Sequence, residues 1–460
     1  MHNGHKCLLM AFAIIIMSGV AGMARAQSWL NVGSAGFTPG EADFNSIVIG
    51  KNDTPFVVCV DKYNLKKAVA RKFNGTSWVT LGNMACSVSE AWATTTAVDR
   101  NGAIYVAFVD YGNSAAATVM KYDAAGWAPV GPVGFTPGYA QSVSVAVDPS
   151  GTPYIAYVDL NAGRGLTVMK YTDTGWIVLG HESISAGTVA YTSITTDTSG
   201  TPYVVYQDNA NNNAATVVKY TDTGWALVGS AGFSAGPAFG YHWIAIAKDG
   251  TPYVVYNDGA HAGKATVMSF NGTGWVTTGT AGFSAGAAGL PSITLDGSGT
   301  PYVAYQDGGN GNKATVMKYN GSSWAPVGGA GFSAGAALGT AIAVNSTGTP
   351  YVVYLDSSKN ERATVMRYGL PAGLQPLAAT SSSSLTIFPN PTHNTFTINI
   401  STLQPETATI TITNILGEKV KEFKATTNAD TQVMLDAPAG IYFVTGVTDG
   451  GTLSGKIELE

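Results

Sequence analysis

The sequence predicts an all-β chain: a seven-bladed β-propeller with four strands per blade, followed by a small β-sandwich. Three residue series predict it. Trp29, Trp78, Trp127, Trp176, Trp225, Trp275 and Trp324 recur at a step of 49 residues, with one step of 50 between Trp225 and Trp275. Phe73, Tyr122, Tyr171, Tyr220, Phe270, Tyr319 and Tyr368 keep the same step, as do Asp61, Asp110, Asp159, Asp208, Asp258, Asp307 and Asp356. A period of roughly 40–50 residues marks a repeat architecture, and four β-like runs per period select a propeller.

The 460-residue chain opens with a signal-peptide pattern over residues 1–26. His2, His5 and Lys6 precede a mostly apolar run, Cys7 to Met23, and Ala24-Arg25-Ala26 fits small-x-small cleavage. The mature chain then starts at Gln27 and has no transmembrane segment. Residues 27–370 hold the repeats. In the fourth, the β-like runs are Thr192–Thr196, Pro202–Gln207, Thr216–Tyr220 and Trp225–Val228, separated by turn residues such as Ser199-Gly200 and Thr223-Gly224. The chain begins with a Trp strand before any full blade, and the last repeat ends at Tyr368 without one. The first strand therefore supplies the outer strand of the last blade, which leaves no open sheet edge at the ends of the array.

Residues 371–384 read as a linker by composition. Residues 385–460 form a second domain, with alternating runs Thr395–Ile400 and Thr407–Thr413 and a hydrophobic Ile441–Val444. Its motifs are Phe388-Pro389-Asn390-Pro391, Asn414-Ile415-Leu416-Gly417, Gly440-Ile441-Tyr442 and Gly455-Lys456-Ile457. Together they resemble the type A sorting domain of the type IX secretion system of Bacteroidota. The resemblance implies export through the periplasm and outer membrane by that machinery, removal of the domain, and a final place outside the cell or on its surface.

Two further positions repeat. Tyr157, Tyr206, Tyr256, Tyr305 and Tyr354 lie on the second strand of a blade, with Phe108 at the equivalent place. Phe37, Phe135, Phe233, Phe283 and Phe332 follow the Trp strands. In the first repeat both positions change together, to Cys59 and Cys86. That joint change suggests the two positions face each other and predicts a Cys59–Cys86 disulfide in an exported protein; two buried free thiols are the alternative. The Trp series reads as inter-blade core, with a ring of sugar-stacking tryptophans as the sharper alternative. The seven Asp residues read as turn acceptors, with ligand or cation acceptors as the alternative.

Positions that break the repeat point to a site. The segments leading into the inner strands carry Glu41, Asp43 and Phe44, then Glu90 and Trp92, Tyr139 and Gln141, Tyr191, and Tyr241, His242 and Trp243. The last two blades hold Ala, Gly, Leu, Pro and Thr there. Rings beside carboxylate and amide acceptors suit sugars or extended peptides. The expected function is a monomeric, secreted or cell-surface binding module for carbohydrate or protein, with Trp92, Tyr139, Gln141, Tyr191, Tyr241, His242 and Trp243 as the ligand face. A glycosidase or lyase using Glu41, Glu90 and Asp43 is one alternative, and a protein-interaction scaffold is another. Independent packing choices in long loops would also explain these residues. No metal cluster, phosphate loop or Ser/His/Asp pattern stands out, so no cofactor is expected. A net charge of -5 gives no footprint for nucleic acid.

Overall fold

The structure, a computed structural model, describes residues 27–370, 384–402, 405–448 and 451–460. The expected signal peptide and nearly all of the expected linker lie outside these residues. The chain divides into two compact units, Met1–Pro371 and Ala372–Glu460.

The first unit holds seven four-stranded antiparallel sheets. The N-terminal strand β1 spans Ser28–Asn31; the first sheet is then β2 (Ala42–Ile49), β3 (Pro55–Asp61), β4 (Lys67–Phe73) and β5 (Trp78–Thr80), in that order. Five sheets repeat this order. In the seventh, β1 pairs with Arg362–Gly369, Trp29 opposite Tyr368. The first and seventh sheets are neighbours: Ser346 gives two hydrogen bonds to Asp53, and one core cluster holds Val57 and Cys59 with Val353 and Val365.

Within a sheet, the second strand is apolar on both faces because sheets pack against each side of it. In Pro153–Asp159 every residue is buried. Its terminal Asp159 ends the strand and takes Asn161 and Ala162 N–H groups. The other six Asp residues do the same turn work, as in Asp208, which accepts from Ala210 N at 3.1 Å.

The tryptophans join neighbouring sheets. Each of the seven indoles donates to a carbonyl of the preceding sheet's outer segment, as Trp127 Nε1 does to Leu81 O at 2.9 Å. Five also stack on the preceding repeat's Phe, Trp275 on Phe233 at 4.0 Å. A left-handed Gly sits under each indole. At Gly82 (φ 68°) a Cβ would lie 2.8 Å from Trp127 Cδ1, so a side chain there collides with the ring.

This geometry corrects one expectation. Cys59 and Cys86 are free, buried thiols. Cys59 packs on one face of the first sheet with Val57 and Phe37. Cys86 packs on the opposite face with Val58, Val60 and Phe108. Side chains alternate along a strand, so the Phe position of one repeat faces the next sheet rather than its own Tyr. Phe283 accordingly meets Tyr305, not Tyr256.

The second unit packs a three-stranded sheet (Ser384–Phe388, Thr395–Ser401, Asp430–Met434) on a four-stranded one, with Phe396, Ile398, Ile410 and Val444 between them. Asn390 ties its turn to the last strand, giving Nδ2 to Lys456 O and accepting from Glu458 N. Tyr442 lies in the core and donates to Pro438 O at 2.7 Å. Gly440 adopts φ 152° at the start of Gly440–Thr448, while Phe388 stays half exposed. Among the described residues no helix is long and apolar enough to cross a membrane.

Candidate functional site

All seven inner strands carry a β-bulge near their start. In β2 the register shifts between Asp43 and Ser46; in the other sheets it shifts at Trp92/Thr95, Gln141/Ser144, Ala190/Ser193, Phe239/Trp243, Gly289/Ser292 and Leu338/Ala341. The bulges bring left-handed backbone: Phe44, Ala93, Ser142, Tyr191 and Leu290 have φ between 44° and 51°, and Gly240 and Gly339 serve in the other two. A left-handed residue with a Cβ costs roughly 1–2 kcal/mol. Threonines offset part of this by bonding across sheets, Thr94 Oγ1 to Phe44 O, Thr192 Oγ1 to Ser142 O and Thr340 Oγ1 to Leu290 O.

The fifth sheet explains the single 50-residue step. Its inner strand, Ala238–Ile246, has three residues between ladder pairs Phe239↔Asn257 and Trp243↔Val255, where the fourth sheet has two. The extra residue sits in the bulge itself, and His242 and Trp243 follow it.

The seven bulges surround one cavity of about 270 Å³, lined from every inner strand. Its wall combines Phe44, Val143, Trp243, Leu290 and Leu338 with a few polar groups. His242 is 1% exposed; neither ring nitrogen makes a close, well-aligned hydrogen bond, and the nearest acceptors are the backbone carbonyls of Ala238 and Tyr191. Burial pushes its pKa down to about 4, so the ring is neutral near pH 7. Asn45 Nδ2 and Thr95 Oγ1 are buried without partners and line the same cavity. An unmet buried polar group costs about 1–3 kcal/mol. Asn45, Thr95 and His242 gather on this one cavity.

Charges gather beside the cavity. Lys62 Nζ is bonded to Glu41 and lies 3.2 Å from Asp43 Oδ2. The lysine holds the Glu41 carboxyl below the usual range, while its hydrogen bond with Glu41 holds Glu361 above it. Asp43 and Glu361 line the cavity.

Of the sequence-predicted residues, Asp43, Tyr241, His242 and Trp243 meet on this cavity. Tyr191 holds a bulge position and packs edge-on against Tyr241 at 4.9 Å. Trp92 is 44% exposed and tilted on Phe44 at 4.5 Å. Trp92, Gln141, Tyr191, Tyr241, His242 and Trp243 lie within inner strands rather than in loops leading to them, because each strand begins upstream of its bulge. Tyr139 shares a hydroxyl contact with Tyr111 at 3.3 Å, and Gln141 accepts from Arg164. Glu90 is paired with Lys66 at 3.0 Å. The polar lining residues absent from the sequence reading include Asn45, Thr95 and Glu361, besides a ring of Ser and Thr such as Ser144 and Thr192.

No curated protein matches this chain. Among solved structures, a fungal alcohol oxidase in complex with copper covers 94% of this chain and 99% of its own at 10% identity and TM-score 0.49. A six-bladed β-propeller lectin of the fungus Aleuria aurantia covers 66% of this chain and 100% of its own at 16% identity and TM-score 0.44. A Hadza microbial sialidase covers 67% of this chain and 74% of its own at 13% identity and TM-score 0.42. For the second unit the match is to a sequence family: residues 386–460 fit the secretion system C-terminal sorting domain, in agreement with the motifs around Asn390, Tyr442 and Lys456.

Proposed function

We propose that this protein is an exported carbohydrate-binding module, built as a closed seven-bladed propeller and directed outward by its C-terminal sorting domain. Closure is supported by β1 in the seventh sheet, by the Asp53–Ser346 bonds and by the core shared between first and last sheets. The observation that carries the binding reading is the convergence on one ring-walled cavity of Asn45 and Thr95, which have an unpartnered polar atom each, and of His242, whose ring has only the Ala238 and Tyr191 carbonyls near it. Sugars present apolar C–H faces and hydroxyls together, which such a wall matches. Trp92 and Tyr139 extend the ring surface at the same ends of the inner strands.

The carboxylates favour binding over glycosidase chemistry. Glu41 and Asp43 share Lys62 of their own sheet, and Glu90 holds Lys66 of the preceding sheet, so each is committed to a cation. A glycosidase needs two carboxyls free to act on opposite sides of one bond.

The test is a broad glycan panel probed with the full chain, scored for binding and for products. Selective binding without products, weakened about tenfold or more in Trp92→Ala, is expected. Products that vanish in Glu41→Gln or Glu90→Gln overturn the reading in favour of an enzyme. Binding to a protein and to no glycan overturns it in favour of a scaffold.

A further inference from the structure

We infer that the axial cavity takes one uncharged monosaccharide unit per chain, the end of a glycan, gripped by His242, Asn45 and Thr95. The inference rests on the carbohydrate reading and narrows it to one site and one ligand class.

The hydrogen-bonding groups define the chemistry. A neutral His242 ring offers one N–H donor and one acceptor nitrogen, Asn45 Nδ2 offers donors, and Thr95 Oγ1 can do both. Hydroxyl groups, which donate and accept, complete all three. The wall also carries Phe44, Trp243 and Leu338, suited to the C–H face of a ring. Among the described residues no Lys or Arg lines the cavity, whereas Asp43 and Glu361 do. An acidic sugar would find no counter-charge inside and like charges beside it.

Size and symmetry define the stoichiometry. At about 270 Å³ the cavity has room for one sugar ring; a single water takes about 30 Å³ of liquid. It is built from all seven inner strands at once, so the chain has one such place. Sites between adjacent sheets would instead recur around the repeat. His242 and Trp243 occur on only one inner strand, so the ligand has one orientation. Trp243 also lines a second cavity further along the strands, with Val98, Val147 and Ile246. Thr95, Ser144 and Ser193 also line both cavities, and the indole is the bulkiest of the four side chains they share, which favours a terminal unit over a chain that passes through.

The experiment is calorimetric titration of the full chain with glucose, galactose, mannose, fucose and N-acetylglucosamine, and with sialic acid as the charged control. Saturation by at least one neutral sugar at one per chain is expected, with no binding of sialic acid. His242→Phe and Thr95→Val should each lower affinity tenfold or more. Thr95→Val gives the same reading if His242→Phe does not fold. More than one sugar per chain, a preference for sialic acid, or wild-type affinity in the folded variants overturns the inference. So does a crystal soaked in the best sugar that shows ordered water only between these side chains. If longer glycans bind the panel but no monosaccharide does, the axial assignment fails and the carbohydrate reading stands. If no glycan binds, both fail.

Discussion

Arg71 and Asp61 form a buried ion pair, Nη2 to Oδ2 at 2.6 Å, with side chains 6% and 2% exposed. In five other sheets the equivalent Asp takes a hydroxyl bond from a Thr, as Asp208 does from Thr216 at 2.9 Å. The first sheet has Val69 at that place and no hydroxyl to give. Where Arg71 stands, three other sheets have a Met that meets the Tyr hydroxyl, as in Tyr256 and Met268. Reducing Tyr to Cys59 leaves room for the guanidinium, whose Nη1 lies 3.4 Å from Cys59 Sγ. Three positions have changed as one unit. Arg71→Met alone strands a buried carboxylate and should cost about 3–5 kcal/mol. The triple change Cys59→Tyr, Val69→Thr, Arg71→Met restores the repeat and should recover most of that loss in urea unfolding. A triple variant no more stable than the single one would refute the coupling.

The thiols give a second prediction. Burial pushes the Cys59 pKa up to about 11 and that of Cys86 to about 12, so neither is a thiolate near pH 8. In the chain from Gln27 onward, which lacks Cys7, iodoacetamide should leave the native protein unmodified at pH 8 and add two groups after unfolding without reductant. Intact mass measures both. A protein that takes no label when unfolded until reductant is added carries the disulfide after all.

The bulges supply a third. Ala93 holds φ 51°, where glycine is at ease, and Ala107 lies in an ordinary buried strand. Ala107→Gly should cost at least about 0.5–1 kcal/mol from backbone entropy alone. Ala93→Gly should cost less than that or stabilise, because relief of the left-handed backbone opposes the entropy term. Equal losses in thermal unfolding would mean the bulge stores no strain.

His242 makes stability depend on pH. Its pKa falls from the ordinary 6.5 to about 4 in the folded protein. Above pH 6.5 the ring is neutral in both states and contributes nothing. Between 6.5 and about 4 the unfolded chain binds a proton that the folded one does not, so stability falls as pH falls. The full loss, about 3 kcal/mol, is reached once pH drops below the folded value. Glu361 beside the cavity, whose carboxyl is held above the usual range by its hydrogen bond with Glu41, remains in His242→Gln and largely cancels in the difference. Urea midpoints of the two proteins from pH 7 to pH 4 should therefore diverge as the solution is acidified; parallel curves would place the ring in contact with water.

Much of the fold is legible because inter-sheet packing is the same event seven times. One indole bonds one carbonyl at each junction, so selection of Trp repeats with the architecture. The site is legible only in part. His242 and Trp243 stand out because they depart from the repeat. Asn45 and Thr95 do not: Ser46, Thr95, Ser144 and Ser193 form a polar series of their own, which reads as structural. In Ser144 that reading is right, since its hydroxyl accepts from Ile194 N of the next sheet. Thr95 shares the position without the bond. The bulges also break the alternation of inward and outward residues, which conceals where the inner strands begin. The joint change to Cys59 and Cys86 pairs the two positions in the sequence, but strand alternation puts them on opposite faces.

The strand pair Ser28–Asn31 with Arg362–Gly369 has a consequence for the order of assembly. A sheet stitched from both extremes of a unit cannot form until the last of its residues has been made. Translation and export both deliver the N-terminal segment early, so β1 waits with an unpaired edge while six sheets take shape. The seam is thus a completion check. Loss of a few residues from either extreme removes the same sheet, and an interrupted chain announces itself by an exposed edge next to an indole with nothing to cover it.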